Sequence, residues 1–281
     1  MKKNIAVVFD SAGTLLRMYR VAKETATGNF LEDVESTMLV AEKAGRALVV
    51  MHAEPHMLKN TEPSTVLWKF IADNDLKIDI SCSSGPVSPQ EAMKIINKEK
   101  VVVKDVTDVL SAVYIHCPER YYMAAALIVD KETQLIPYVL STAGKLYSNT
   151  SKTIELLQCR GVDTYIASGD TMRSLKGIAE KLRIPLENVF EIATTENKAK
   201  IVLDLKRKYN RVLMVGDGMN DIRALQVADI GIVTVQQGDK RPQKLLETAD
   251  LVINDIIEVI EIVDSLNTAD HMKEQGTAFY C

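Results

Sequence analysis

No apolar run in this chain reaches the roughly 18 residues that would span a bilayer. Met1-Lys2-Lys3-Asn4 is followed by only five apolar residues, too few for a signal peptide. Paired cysteines are missing as well. Cys82, Cys117, Cys159 and Cys281 stand far apart with no CxxC spacing, so neither a zinc site nor a disulfide framework is indicated. Of the four histidines, only His52 and His56 are near one another, and Pro55 between them argues against a shared helical face for a metal. Charge of one sign is lacking too. Lys and Arg number 34 against 38 Asp and Glu, a net charge of -4, which leaves no electrostatic footprint for nucleic acid or an anionic membrane. An anionic ligand would therefore have to be gripped locally. The terminal Ala278-Phe279-Tyr280-Cys281 has its cysteine in the wrong place for prenylation and reads as an ordinary tail. These absences lead to the expectation of a soluble, cytoplasmic chain. What is present is ordinary for a globular protein: 47% hydrophobic and 26% charged residues over 281 positions, enough for about two domains with a sizeable core.

The stretch that organises the rest is Val7-Val8-Phe9-Asp10-Ser11-Ala12-Gly13-Thr14. The β-branched and aromatic run Ile5–Phe9 reads as a fully buried strand that stops at an acidic residue and a small-residue turn. Ligands of open α/β sheets bind at the carboxyl ends of the strands, so Asp10 is a candidate nucleophile or metal ligand. The plainer alternative is an aspartate that closes a turn or caps a helix.

Between Leu15 and Met51 the pattern does not separate helix from strand, apart from a strand at Ala47–Met51. The spacing then predicts a helix over Thr65–Asp73, a loop over Ser81–Pro89, and a helix over Gln90–Asn97 capped by Ser88. Val101–Val103 and Ala112–Ile115 read as strands, and Met123–Val129 with Gln134–Leu140 as a β-hairpin. Beyond Ser148 helices and strands alternate. Strands are expected at Thr164–Ala167, Arg211–Val215, Asp229–Thr234 and Leu251–Ile253, and helices at Ser151–Cys159, Thr171–Leu182, Asn197–Lys208, Asn220–Val227, Lys240–Glu247 and Asp255–Leu266. Such alternation implies an α/β, Rossmann-like parallel sheet with helices on both faces. The expected organisation is one core domain made of residues 1–16 and 142–281, with residues 17–141 inserted as an α+β domain.

Three of these strands end in residues suited to one task. Asp10, Ser168, Asp217 and Asp221 fall at or just past strand ends, and Lys198 opens the helix before the Arg211 strand. Carboxylates, a hydroxyl and a lysine gathered at one sheet edge suit a divalent cation and a phosphoryl group. Asp217 is expected as a direct Mg²⁺ ligand and Asp221, one helical turn on, as an outer one. Asp170 is read as a helix N-cap, Asn220 as either an orienting partner of Asp217 or a cap, and Gly216 and Gly218 as serving backbone geometry.

The segments DSAGT, ASGD, ENKAKIV and GDGMND, in that order, resemble the four motifs of the haloacid dehalogenase superfamily. GDGMNDIRALQVADIGI is most similar to the corresponding stretch of P-type ATPase phosphorylation domains and of phosphoserine phosphatases. The resemblance covers residues 5–14 and about 142–253. It implies a phosphohydrolase in which Asp10 attacks phosphorus to give an aspartyl-phosphate that water cleaves. Ser168 and the Gly169 amide would hold phosphoryl oxygens, and Lys198 would neutralise charge. Mg²⁺ would bind Asp10, the Ala12 carbonyl and Asp217, with Asp221 behind them and Gly13, Thr14 and Asn220 in support.

One departure matters. Most phosphatases of this family carry a second aspartate two residues after the nucleophile as general acid and base; here it is Ala12. Alanine cannot protonate a leaving alkoxide, a service typically worth about 10²–10⁴-fold. The expected substrate is therefore a small phosphorylated metabolite with a good leaving group, such as a phosphoanhydride or acyl phosphate. An ATPase-like phosphoryl transferase stands beside this reading, since P-type ATPases also lack that aspartate. A phosphonate hydrolase would need a lysine imine, and nothing singles out Lys23 or Lys43 for it. A phosphate-sensing module weakened by Ala12 is the non-enzymatic alternative. Residues 17–141 are expected to be the cap that sets the substrate. They contain no glycine-rich phosphate loop, and Arg120-Tyr121-Tyr122 reads as core packing before ring stacking.

Overall fold

A computed structural model of the chain describes residues 3–238 and 241–276. The chain divides into two compact units, Met1–Arg17 with Leu146–Cys281, and Met18–Lys145.

The first unit is built on a six-stranded sheet in the order Leu251–Ile253, Ile230–Thr234, Tyr209–Gly216, Lys3–Phe9, Asp163–Ala167 and Val189–Phe190, with every neighbouring pair parallel. A parallel strand inside such a sheet is covered on both faces, which is why Ile5–Phe9 is an unbroken apolar run with every residue buried. Successive side chains point to opposite faces. Ala6 and Val8 join Val202 and Leu205 of the helix Thr195–Lys206 and Leu225 of the helix Ile222–Val227 in one apolar cluster. Val7 and Phe9, on the other face, are equally buried. The helices Thr150–Cys159 and Met172–Leu182 fall close to their expected bounds, the former followed by Gly161 at φ +72°. The C-terminal helix, entered through a short 3₁₀ turn at Ile256–Glu258, is Val259–Gly276 and runs past the expected Leu266. The helix expected over Lys240–Glu247 begins at Gln243, and its residue Lys240 lies outside the described residues, as do Met1, Lys2 and the Ala278–Cys281 tail.

The second unit holds an antiparallel sheet in the order Phe30–Glu32, Leu16–Glu24, Leu135–Leu146, Tyr122–Asp130, Arg46–Met51, Ile78–Ser83. The predicted hairpin is the pair Tyr122–Asp130 and Leu135–Leu146. Helices Leu67–Asp73, Pro89–Lys98 and Val103–His116 contribute Phe70, Ile95, Ile96, Val106 and Val109 to a cluster with Val49, Leu127 and Val129. Ser88 caps the second of these helices in a capping box with Glu91, as its position suggested.

Two expectations fail here for physical reasons. Val101–Val103 and Ala112–Ile115 are not paired strands: Val103–His116 is one helix, and Val102 makes only an isolated bridge to Val66. The β-branched residues suggest strand locally, but Val103, Val106, Val109, Leu110 and Val113 recur at helical spacing and are all buried, so packing overrides propensity. Asp105 secures the helix start by accepting from the Val102 amide at 3.0 Å. The loop expected over Ser81–Pro89 gives up its first three residues to the edge strand Ile78–Ser83. There half-buried Ile78, Ile80 and Cys82 alternate with exposed Asp79, Ser81 and Ser83, and the serine content masks the alternation.

Candidate active site

In the sheet register, Phe9 lies beside both Val215 and Ile166, so the chain leaves three adjacent strands at Asp10, Asp217 and Ser168 on one edge. The Asp10 amide extends the ladder by one bond, donating to the Val215 carbonyl at 2.9 Å. The turn that follows is tight. The Ser11 carbonyl accepts from the amides of Leu15 and Leu16, both at 2.9 Å, and Gly13 donates to the Leu16 carbonyl at 2.8 Å.

Gly13 is required on two counts. Its φ of +80° is unfavourable for any side chain, and a β-carbon there would lie 1.9 Å from Asp217 Oδ2. The Asp217 carboxylate therefore rests directly against the backbone of the turn that carries Asp10. Gly216 is needed for a related reason: its β-carbon would meet Asp221 Cγ at 2.6 Å.

Lys198 joins the pieces. It lies in the first turns of the helix Thr195–Lys206, whose N-cap Thr194 accepts from the Asn197 amide, and it is completely buried. Its Nζ donates to Asp10 Oδ1 at 2.5 Å and to Asp221 Oδ1 at 2.6 Å. Burial alone would lower the ammonium's pKa, but the Coulomb attraction of Asp10 and Asp221 outweighs it and the net shift is upward, so Lys198 is charged. Asp10 is held well above the ordinary carboxylate range, first by burial; Lys198 opposes this, while Asp221 and Asp217 add to it. Asp221, also fully buried, spends its other oxygen on the amides of Asp217 (3.2 Å) and Gly218 (3.1 Å). It is thus an organiser of the GDGMND turn. Asn220 is exposed, and among the described residues its side chain makes no hydrogen bond to Asp217 or to the turn.

Ser168 is buried, and its hydroxyl donates to Asp170 Oδ2 at 3.0 Å. Asp170 is therefore not the helix N-cap expected of it: the cap position belongs to Thr171, and the Met172 amide at the helix start donates to Glu191 instead. Burial raises the Asp170 pKa against the opposing effects of Ser168 and Lys198. Gly169 is exposed with nothing within 4 Å of a notional β-carbon, so its side of the site is open.

Sequence reasoning missed the loop after Ile230–Thr234. Gln236 donates through its amide to the Thr14 carbonyl at 2.6 Å and accepts from the Ile256 amide, while Tyr147 donates to Gln237 at 2.8 Å. Arg241 Nη2 donates to Asp217 Oδ2 at 2.8 Å. The only signal for these residues was their place after a strand that ends on the same edge.

Asp10, Asp217 and Asp221 each offer an oxygen within 4.8 Å of one another. These three carboxylates face the Lys198 ammonium and the Arg241 guanidinium, and the five groups by themselves sum to one formal negative charge. Donors made only of oxygen, together with that charge, fit Mg²⁺ better than a softer metal. The buried hydroxyls of Ser11 and Thr14, flanking the same turn, make no hydrogen bond among the described residues, which also fits a polar occupant. Lys198 bonds Asp10 through Oδ1, and among the described residues no hydrogen bond engages Oδ2, which is thus available to a metal or an electrophile.

A family model described as haloacid dehalogenase-like hydrolase matches residues 6–229. The chain is 33% identical over 260 residues to a protein of Methanocaldococcus jannaschii named a soluble P-type ATPase-like phosphatase, covering 92% of each. It is 32% identical over 143 residues to a probable copper-importing P-type ATPase A of Enterococcus hirae, which covers 50% of this chain and 19% of that one. A copper-transporting ATPase of Helicobacter felis is 34% identical over 136 residues, 48% of this chain and 18% of the other. The chain thus spans less than a fifth of either copper ATPase. Among the described residues no helix is long and apolar enough to cross a membrane.

Proposed function

The chain belongs to the haloacid dehalogenase-like hydrolases, and from that premise we propose that it is a Mg²⁺-dependent phosphohydrolase acting through an aspartyl-phosphate on Asp10. The observation that carries the reading is the buried Lys198 ammonium bridging Asp10 and Asp221 at 2.5 and 2.6 Å. Lys198 fixes one oxygen of Asp10 and so presents the other, Oδ2, as the nucleophile. Oδ2 forms a bond to phosphorus while the bond from phosphorus to the leaving oxygen breaks, and the leaving group departs with the electron pair. Water then attacks the phosphoryl group, inorganic phosphate leaves, and the carboxylate is restored. Lys198 offsets charge on Asp10 in both steps, and the Ser168 side of the edge holds phosphoryl oxygens. Such chemistry asks mainly for positioning and charge neutralisation. Asp10, Asp217 and the Ala12 carbonyl would hold Mg²⁺, with Asp221 behind them; the cation supplies Lewis-acid polarisation of the phosphoryl group.

Ala12 leaves the leaving group without a proton donor at that position. A phosphoanhydride or acyl phosphate needs none, so we infer a small substrate of that class, selected by the unit Met18–Lys145, in a soluble cytoplasmic protein. ATP hydrolysis is the second reading, favoured by the 32% and 34% identity to copper ATPases. Phosphate release from acetyl phosphate, p-nitrophenyl phosphate and ATP with Mg²⁺, on the wild type and Asp10→Asn together, tests the proposal. The expected order is acetyl phosphate well ahead of the monoester, with all release lost in the variant. Absence of Asp10-dependent release across a broad panel would reject it. Protection of residues 18–145 from hydrogen exchange by ATP would move the assignment to the nucleotide.

A further inference from the structure

The loop after Ile230–Thr234 brings to the edge of the sheet a cation that the mechanism above does not use. Arg241 Nη2 is 2.8 Å from Asp217 Oδ2, with the two side chains only 10% and 16% exposed. The start of the loop is tied down: Gln236 is bonded to Thr14 on one side and Ile256 on the other, and Gly238, at φ +84°, donates to the Val235 carbonyl in a turn. Arg241 itself precedes Pro242, and a residue before proline is confined to extended backbone.

The contact falls on the carboxylate that the phosphohydrolase reading assigns to Mg²⁺. Formal charge makes the consequence definite. Counted over Asp10, Asp217, Asp221, Lys198 and Arg241 alone, the formal charge is one negative. A divalent cation would take it to one net positive charge, and a phosphoryl dianion would return it to its starting value. Without Arg241 the same three states would carry two negative charges, none, and two negative charges. Arg241 therefore opposes the cation and favours the anion. A guanidinium is also the side chain whose planar fork matches carboxylate and phosphoryl oxygens alike. Resting on the phosphohydrolase reading, we propose that Arg241 is a substrate-binding residue that competes with the divalent cation for Asp217 and, once the cation holds that carboxylate, engages the phosphoryl oxygens of the substrate.

The two halves of this assignment predict changes of opposite sign, which a structural prop would not produce. Calorimetric titration of the full chain with MgCl₂ in the absence of anions, and then with inorganic phosphate at saturating Mg²⁺, reads both. A charge-assisted contact of this kind is worth about tenfold or more in affinity. In Arg241→Gln, Mg²⁺ is expected to bind about tenfold tighter and phosphate about tenfold weaker, with Arg241→Lys, which keeps the charge, between the two. Unchanged affinities, or the two weakened together, would overturn the assignment. Wild type that binds no Mg²⁺ would sink the phosphohydrolase reading and this one with it. Wild type that binds Mg²⁺ and phosphate, with a variant that binds them equally well, would sink this one alone.

Discussion

Asp10→Asn removes one negative charge from the buried cluster while keeping its shape, and it is expected to make the metal-free protein more stable as it abolishes turnover. Asp10 is 3% exposed, and burial together with the neighbouring Asp221 and Asp217 carboxylates lifts its pKa despite the Lys198 contact. A carboxyl whose pKa is raised by folding stabilises the fold fully only below its unfolded value of about 4, and that contribution is lost as pH rises through the folded value. At neutral pH the ionised group is therefore a net cost. Asparagine relieves it, and Lys198 keeps an oxygen acceptor there as well as its bond to Asp221. Relief of strain at an active site commonly returns about 0.5–2 kcal/mol. For a unit of this size that corresponds to a rise in Tm of roughly 1–8 °C. The assay is thermal unfolding of both proteins in EDTA across pH 4 to 8. The variant's advantage should be absent near pH 4, grow as pH rises toward the folded pKa of Asp10, and level off above it. A variant less stable than wild type at neutral pH would show that the Asp10 carboxylate supports the fold, and the electrostatic account would fail.

Three further expectations follow from the same contacts. Lys198→Met leaves Asp10 and Asp221 buried without their shared cation, which should cost about 3–5 kcal/mol; adding Asp10→Asn should recover part of it, and urea unfolding of the single and double variants checks the coupling. Gly13→Ala places a β-carbon where Asp217 Oδ2 now lies and forces alanine to φ +80°, so a loss of about 1–2 kcal/mol from the backbone should accompany a larger loss of Mg²⁺ affinity, read by calorimetry. Ala12→Asp supplies the missing acid and should raise monoester hydrolysis by about 10²-fold while changing acetyl phosphate hydrolysis far less; a fall for both would show that the turn is built for alanine.

The parallel sheet was legible because strands buried on both faces are written as unbroken apolar runs, as at Ile5–Phe9 and Val212–Val215, and because each run stops where a glycine or acidic residue begins a turn. The convergence of Asp10, Asp217 and Asp221 followed from those stops, and Lys198 from the helix that opens before the next strand. The sheet of the second unit was less legible. Its edge strand Ile78–Ser83 hides behind serine, and the helix Val103–His116 is rich in valines that favour strand until their spacing is counted. Side-chain allegiances inside the site were the least accessible. Asp170 could cap a helix or accept from Ser168, and only the course of the chain through Glu191 decides for the latter. Gln236 and Arg241 sit in a loop with no periodicity, so their reach to Thr14 and Asp217 depends on tertiary structure alone.

Chemical capture of the phosphorylated carboxylate puts the central claim to its most direct test. The protein is mixed with acetyl phosphate and Mg²⁺, quenched in acid, and reduced with borohydride, which converts an acyl phosphate into an alcohol that peptide mass spectrometry can locate. The account predicts homoserine at position 10, in an amount favoured by the lack of a general base at Ala12 and lost when Mg²⁺ is chelated. Turnover of acetyl phosphate with no modification at Asp10, or with the modification on another carboxylate, would contradict it.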